Sequence, residues 1–383
     1  MRTRMREIPA PPANLRAIIR RGANLRGSIR RAAVLGAAVL VLLPTASPTA
    51  GAKDVDLVPV APGVHAALQA ADDRFNDSNS VVIEGANGVL VVDAQASTAY
   101  VESLIARIRT LTDKPVRTLV YTHWHLDHTQ NAGLYTDTFG DSIEVIGHVT
   151  LAEDIRARAI PQLRAEADEL EGAIAAGKVR LGRGVARDGS LLDAAGKAKL
   201  AAQIEAANIT LAEKRAPHFV APTRTVTEQL ELHDGERTIR LLHVRAHTRG
   251  DLVVFLPAEK ILVTGDVLDD LPFGGHGYPR EWIAALSSLE RLDFDTIVPG
   301  HGQIRHGKEH LRRVRDFFTA IVEQVDAAVR EKKSLADTQA AIDWTSWRTV
   351  LAGDDVRAQR NFDEFAPAAV ERAWLEARAE LPD

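Results

Sequence analysis

Tyr121-Thr122-His123-Trp124-His125-Leu126-Asp127-His128 is the stretch on which the reading of this chain turns. Three histidines and one aspartate stand between positions 123 and 128, in the spacing H-x-H-x-D-H. The run before them, Val116-Arg117-Thr118-Leu119-Val120-Tyr121, is apolar and β-branched and predicts a buried strand. Thr129-Gln130-Asn131-Ala132-Gly133, after them, predicts the first turn of a helix. Alternate residues of an extended chain share a face, so His123 and His125 aim to one side while Asp127 and His128 fall where the chain turns. Imidazole and carboxylate together form a borderline-hard ligand set, suited to Zn²⁺ and open also to Fe or Mn. A solvated histidine-rich turn would require neither the spacing nor the strand.

Working outward, the same arrangement recurs. Ala246-His247-Thr248-Arg249-Gly250-Asp251 follows a strand predicted at 238–244. Thr264-Gly265-Asp266 closes one at 261–264, and Pro299-Gly300-His301-Gly302 closes one at 296–299. Strand ends that share one sheet edge bring such groups together, and loops on a rigid scaffold are where catalysis is commonly sited. Upstream, residues 54–68 predict two short strands and 71–77 an exposed hairpin loop carrying Phe75. Residues 80–84 and 89–93 predict strands, the second ending in Asp93, and 97–112 a helix. Downstream come a strand at 142–148, a mostly helical insertion at 151–216, and strands at 226–232 and 252–256. Helices follow at 282–292, 307–333 and 336–383, with Trp344, Trp347 and Trp374 as packing anchors. Strands alternating with helices in this way predict an α/β fold.

A chain of 383 residues with 45% hydrophobic and 26% charged residues is globular and long enough for one large or two ordinary domains. It has no cysteine, so disulfides and thiolate metal sites are excluded. Residues 1–31 carry nine arginines and one glutamate, the apolar run Ala32–Leu43 follows, and Ala50-Gly51-Ala52 has the A-x-A form of a cleavage site. The reading is an export signal over 1–52, through either the Sec or the twin-arginine route given Arg30-Arg31. An uncleaved anchor is the rival, but the apolar run is short for a bilayer. Removing nine arginines and one glutamate takes the net charge from −5 to −13. That balance disfavours nucleic acid. The expectation is a periplasmic or secreted protein with a small-molecule substrate, no nucleic-acid partner and no stable membrane insertion after cleavage. The oligomeric state is not legible.

The motifs at 123–128, 247, 266 and 301, taken in order, resemble those of the metallo-β-lactamase superfamily of metallohydrolases. The resemblance implies an αββα sandwich over 53–306, here with the helical insertion and a helical C-terminal extension over 307–383. It implies two zinc ions per chain. His123, His125 and His247 would hold the first, Asp127, His128 and His301 the second, and Asp266 would bridge them. Asp93 would support the metal loop by hydrogen bonding. Two such ions share and acidify one water, giving a bridging hydroxide nucleophile, with Asp127 placed to accept or relay the proton. Redox-active di-iron members have a glutamate where this chain has His125, which favours hydrolysis. Many true β-lactamases carry cysteine or serine where this chain has Asp266. An aspartate bridge is the pattern of the thioesterase, lactonase, phosphodiesterase and nuclease branches.

The implied function is exported zinc-dependent hydrolysis of a small ester, lactone, amide or β-lactam. A mononuclear-iron sulfur dioxygenase of the same fold would not need Asp127, His128 and His301 as ligands, and a non-catalytic binding protein would not need a full set. Leu271-Pro272-Phe273-Gly274-Gly275-His276-Gly277-Tyr278 is a glycine-rich loop soon after Asp266. It makes His276 and Tyr278 candidates for substrate contact, with Phe75 a candidate flap residue. Arg249 has no role in this reading.

Overall fold

A computed structural model describes residues 55–70 and 74–381. The export segment expected at 1–52 lies outside the described residues. The first sheet takes β1 (Asp56–Ala61), β2 (Val64–Leu68), β3 (Ser80–Glu84), β4 (Val89–Val92), β5 (Val116–Val120), β6 (Glu144–His148) and β7 (Arg224–Val226), in that spatial order. It is antiparallel from β1 to β4 and parallel from β4 to β7. The second sheet lays β8 (Gln229–Asp234), β9 (Arg237–Val244), β10 (Asp251–Leu256), β11 (Ile261–Gly265), β12 (Thr296–Pro299) and β13 (Arg305–His306) side by side. There only β11 and β12 run parallel.

The two-residue alternation of strands sorts these side chains into layers. Val81, Ile83, Leu90 and Val92 face inward and meet Leu241, Leu252, Val254, Val263 and Val298 of the other sheet. Their chain neighbours Val82, Val89 and Val91 face outward against Tyr100, Val101, Leu104 and Ile108 of α1 (Thr98–Leu111). Two short helices follow on the same side, α2 (Leu126–Thr129) and α3 (Gly133–Phe139). Helix formation thus begins inside the histidine motif rather than after it, so Asp127 and His128 project from a helical turn.

The segment between β6 and β7 of the first sheet is helical. It comprises α4 (Leu151–Asp154), one π-helical turn (Ile155–Ala159), α5 (Ile160–Arg183) and α6 (Ala194–Arg215). The last two share a small apolar seam of Leu170, Ile174, Leu200, Ile204 and Ala207. Lys214 pairs with Glu166, and Arg215 with Asp168 and Glu171, so the start of α5 lies beside the end of α6. These are solvated helix-face pairs of small individual worth.

The outer face of the second sheet (Val253, Phe255, Leu262, Ile297) is covered by α7 (Pro279–Leu289), α8 (Glu309–Arg330), α9 (Leu335–Ala341), α10 (Thr345–Ala352) and α11 (Val356–Ala377). The architecture is the expected αββα sandwich. Helices α8 to α11 share one core with α7, and Trp344, Trp347 and Trp374 pack against that core as expected. Among the described residues no helix is long and apolar enough to cross a membrane.

Candidate metal centre

All the ligand-type residues singled out at strand ends converge. His123, His125, His247 and Asp266 form one group, and Asp127, His128 and His301 a second; within each, the candidate ligand atoms lie within 4.8 Å of one another. The first sheet brings His123 and His125 on the turn after β5, with Asp127 and His128 on α2. The second brings His247 before β10, Asp266 after β11 and His301 after β12. Two glycines permit this closeness. Gly265 has φ +49°, and a Cβ there would lie 2.6 Å from Thr122 Oγ1. Gly300 has no side chain because a Cβ would press into Asp266 Oδ1.

Asp266 stands between the groups. Its Oδ2 is 3.6 Å from His123 Nε2, 3.4 Å from His247 Nε2 and 3.7 Å from His301 Nε2, while Oδ1 is 3.1 Å from His128 Nε2. Asp127 Oδ2 lies 2.9 Å from His301 Nε2 and 3.6 Å from His128 Nε2. His123 Nε2 is buried without any hydrogen-bond partner, and the buried His128 Nε2 and Asp266 Oδ1 have no polar neighbour of that kind but each other. Buried polar atoms are normally satisfied, so three that converge on one space fit a cation between them. The donor set, all nitrogen and oxygen, suits a divalent ion of the zinc type.

The far nitrogens are all occupied, which fixes each ring. His128 Nδ1 donates to Asp93 Oδ2 at 2.8 Å, and Asp93 also accepts from Thr122 N (2.7 Å) and Thr122 Oγ1 (2.8 Å). Asp93 thereby braces the loop that carries His123 and His128, in a left-handed backbone conformation of φ 63°. His123 Nδ1 rests on Thr122 Oγ1 at 3.1 Å, His247 Nδ1 donates to the Phe273 carbonyl at 2.9 Å, and His301 Nδ1 donates to the Arg74 carbonyl at 2.9 Å. Those four rings present Nε2 to the site. His125 is reversed: its Nε2 meets His276 Nδ1 at 2.8 Å and its Nδ1 lies 3.0 Å from His247 Nε2.

Burial is the largest influence on His123, His125 and His247 and holds all three below the ordinary imidazole range, leaving neutral rings with one lone-pair nitrogen each. Burial also acts against charge on His128 and His301, but Asp266 and neighbouring carboxylates outweigh it. His128 is pushed well up and His301 to about 10. In that half of the site positive charge is what the carboxylates demand, from protons or from a cation. Asp127 and His301 keep 24% and 14% of their side chains exposed, whereas His123, His128, His247 and Asp266 are buried. His125 is likewise only partly buried, so both groups keep an edge toward solvent.

Three expectations need correction. Tyr278 does not offer a face to a substrate at the centre. It is 2% exposed, with the Arg245 and Arg372 guanidiniums 3.9 and 5.0 Å from its ring. The edge it retains faces a hollow with Arg280, Glu281, Glu376, Ala379 and Leu381, none of them a candidate ligand. His276 packs against His125, Trp124 and Phe273, which makes it a support of a ligand in this structure. Of the stretch expected as an exposed loop at 71–77, residues 71–73 lie outside the described residues, and Asp77 is buried, accepting from the backbone of Ser78, Ala96 and Ser97. Phe75 lines a hollow of about 330 Å³ with Leu271, His310 and residues 350–355, its ring flanked by Arg74 and Arg357.

Several residues around the site went unread. Asp269 accepts from His301 N at 2.8 Å. Asn79 bridges to the carbonyls of Pro299 and Gly302, and Ser78 Oγ donates to the Asp127 carbonyl at 2.6 Å. Arg249 grips the buried Asp154 through Nε at 3.1 and 3.0 Å, tying the His247 loop to α4. The spacing from Asp266 to Asp269, one helical turn after a strand, was the only available signal for the first.

Comparison with known proteins agrees with this geometry. The family model described as Metallo-beta-lactamase superfamily matches residues 73–301. The linear primary-alkylsulfatase of Pseudomonas sp. (strain ATCC 19151) is 26% identical over 258 residues, covering 63% of this chain and 46% of the relative. Among solved structures, the stereoselective inverting sec-alkylsulfatase from Pseudomonas sp. superposes with a TM-score of 0.55 at 17% identity, over 84% of this chain and 50% of that one. A metallo-beta-lactamase family protein from Thermus thermophilus gives 0.52 at 17% identity, over 84% and 95%. The chain spans about half the length of the alkylsulfatases it matches.

Proposed function

The chain belongs to the metallo-β-lactamase superfamily, and from that premise we propose that it is an exported, dinuclear zinc hydrolase of small esters, with alkyl sulfate esters as the leading substrate class. The carrying observation is the pair of donor groups that converge on Asp266, with His123 Nε2 buried and unpartnered and His128 Nε2 and Asp266 Oδ1 buried against each other alone. His123, His125, His247 and Asp266 would hold one ion, and Asp127, His128, His301 and Asp266 the other. Bound there, the ions would supply Lewis acidity toward an ester oxygen and would lower the pKa of a water to near neutrality.

The chain's own groups do the rest. His123, His125 and His247 are neutral and present lone pairs. Asp93 holds His128 by its Nδ1 and keeps Nε2 turned inward. Asp127, the most exposed carboxylate of the set, is placed to take or pass a proton at Oδ2. The named activity of the Pseudomonas relative supports the sulfate-ester reading, and the arginine-rich, apolar segment at 1–52 supports export. The complete second donor group argues against the mononuclear-iron oxidative reading and against a purely binding protein.

The test is elemental analysis of the purified protein joined to a hydrolysis screen over alkyl sulfate, lactone, β-lactam and phosphodiester substrates. About two zinc per chain is expected. Alkyl sulfate turnover should vanish on chelation and in Asp127→Ala. One iron per chain without hydrolysis overturns the proposal, and turnover of another ester class alone overturns its sulfate part.

A further inference from the structure

One loop, Phe273 to Tyr278, holds two of the three first-group histidines from behind. His247 Nδ1 donates to the Phe273 carbonyl, and His125 Nε2 meets His276 Nδ1. The other rings have separate supports: Thr122 for His123, Asp93 for His128 and the Arg74 carbonyl for His301. The loop is in turn pinned to α11. Arg372 Nε donates to the Gly277 carbonyl at 2.7 Å, the Phe365 and Phe273 rings are 5.0 Å apart, and a Cβ on Gly274 would lie 2.6 Å from that of Ala369.

The His125–His276 contact has a direction. His125 Nδ1 is hydrogen-bonded to His247 Nε2 at 3.0 Å, on the side of the site, a contact that a bound metal would replace. If that nitrogen gives its lone pair to a metal, the ring proton must sit on Nε2, and only an acceptor can meet it there. The reverse arrangement, with His276 donating, would put a proton on Nδ1 and remove the ligand. We infer that His276 is a positioning residue: by accepting the His125 Nε2 proton it fixes the one reversed histidine and sets the affinity of the first metal alone. This rests on the dinuclear reading above. It also makes the two ions unequal, because His128 is backed by a carboxylate and His125 by a neutral imidazole, a weaker acceptor.

The test is competitive zinc titration of the full chain against a chromogenic chelator, for wild type, His276→Ala and His276→Asn, with no substrate present. An asparagine amide oxygen can stand near the position of Nδ1 and accept the same proton. The expectation is one zinc weakened about 10–100-fold in His276→Ala, the other unchanged, and the loss largely recovered in His276→Asn. The retained zinc is the internal check on folding. Unchanged affinities in His276→Ala, equal loss at both sites, or an asparagine variant as weak as the alanine variant would each overturn the inference. A wild type that binds no zinc overturns the dinuclear reading itself, and this inference with it.

Discussion

Replacing Gly300 by alanine should disable the centre while leaving the sandwich folded. Gly300 does not have a positive φ, so alanine brings no backbone penalty; the effect is steric alone. Its Cβ would press into Asp266 Oδ1, 2.9 Å from Gly265 C and 3.1 Å from His128 Cε1. Backbone on one side and a ring fixed by Asp93 on the other leave the carboxylate as the group that yields. Restoring van der Waals separation requires Asp266 to retreat by roughly 1 Å. That arm is the one 3.1 Å from His128 Nε2, so the group shared by both donor sets is the one displaced. A shift of about 1 Å at reacting groups costs on the order of 100-fold in rate, and overpacking costs about 1–3 kcal/mol in stability. The assay is kcat on the substrate the wild type hydrolyses best, with zinc content and a urea melt on the same sample. A variant with two zinc and kcat within about threefold of wild type would refute the reasoning, because Asp266 would then have accommodated the methyl without consequence.

Gly172, exposed within α5 with nothing within 4 Å of the place an added methyl would take, gives the opposite outcome: Gly172→Ala should stabilise by about 0.5–1 kcal/mol in a urea melt without altering activity. Asp93→Asn tolerates the left-handed backbone but loses the carboxylate that holds His128, so zinc titration should show about 10–100-fold weaker binding. Arg249→Met removes the bidentate partner of buried Asp154, with Arg158 remaining at 3.1 Å; a loss of about 2 kcal/mol by urea denaturation is expected, less than for a pair with no second cation. Burial pushes the Asp77 carboxyl up to about 7 against three backbone N–H bonds, from an ordinary value of 3.8. Its contribution to stability is complete below pH 3.8 and is lost as pH rises through about 7, so Asp77→Asn should flatten that part of the stability profile in guanidinium melts.

The converging His and Asp positions were legible because each stands where a β-branched run stops, and a strand end is a local signal. The layers were legible for the same reason: alternation at 81–83 and 89–92 states which side chains face which sheet. What escaped reading depends on contacts between distant segments. Asp77 looks like any loop acid until Ala96 and Ser97 fold over it. Tyr278 looks available in a glycine-rich loop until Arg245 and Arg372 close on its ring. The short strands β7 and β13 have no periodicity to show, being defined only by β6 and β12 beside them. Arg249 had no meaning without Asp154, 95 residues away.

The ligand groups divide between the sheets: positions 123 to 128 belong to the first, and 247, 266 and 301 to the second. An ion held by both acts as a rivet across the sandwich. Neither half alone carries a complete set, so occupancy reports closure of the two sheets and, by mass action, resists their separation. At free metal a hundredfold above its dissociation constant the clasp is worth about 2.7 kcal/mol per site. Chelation should then lower resistance to unfolding as well as abolish turnover, and the metal supply of the compartment in which the chain folds would set how firmly its sheets stay shut.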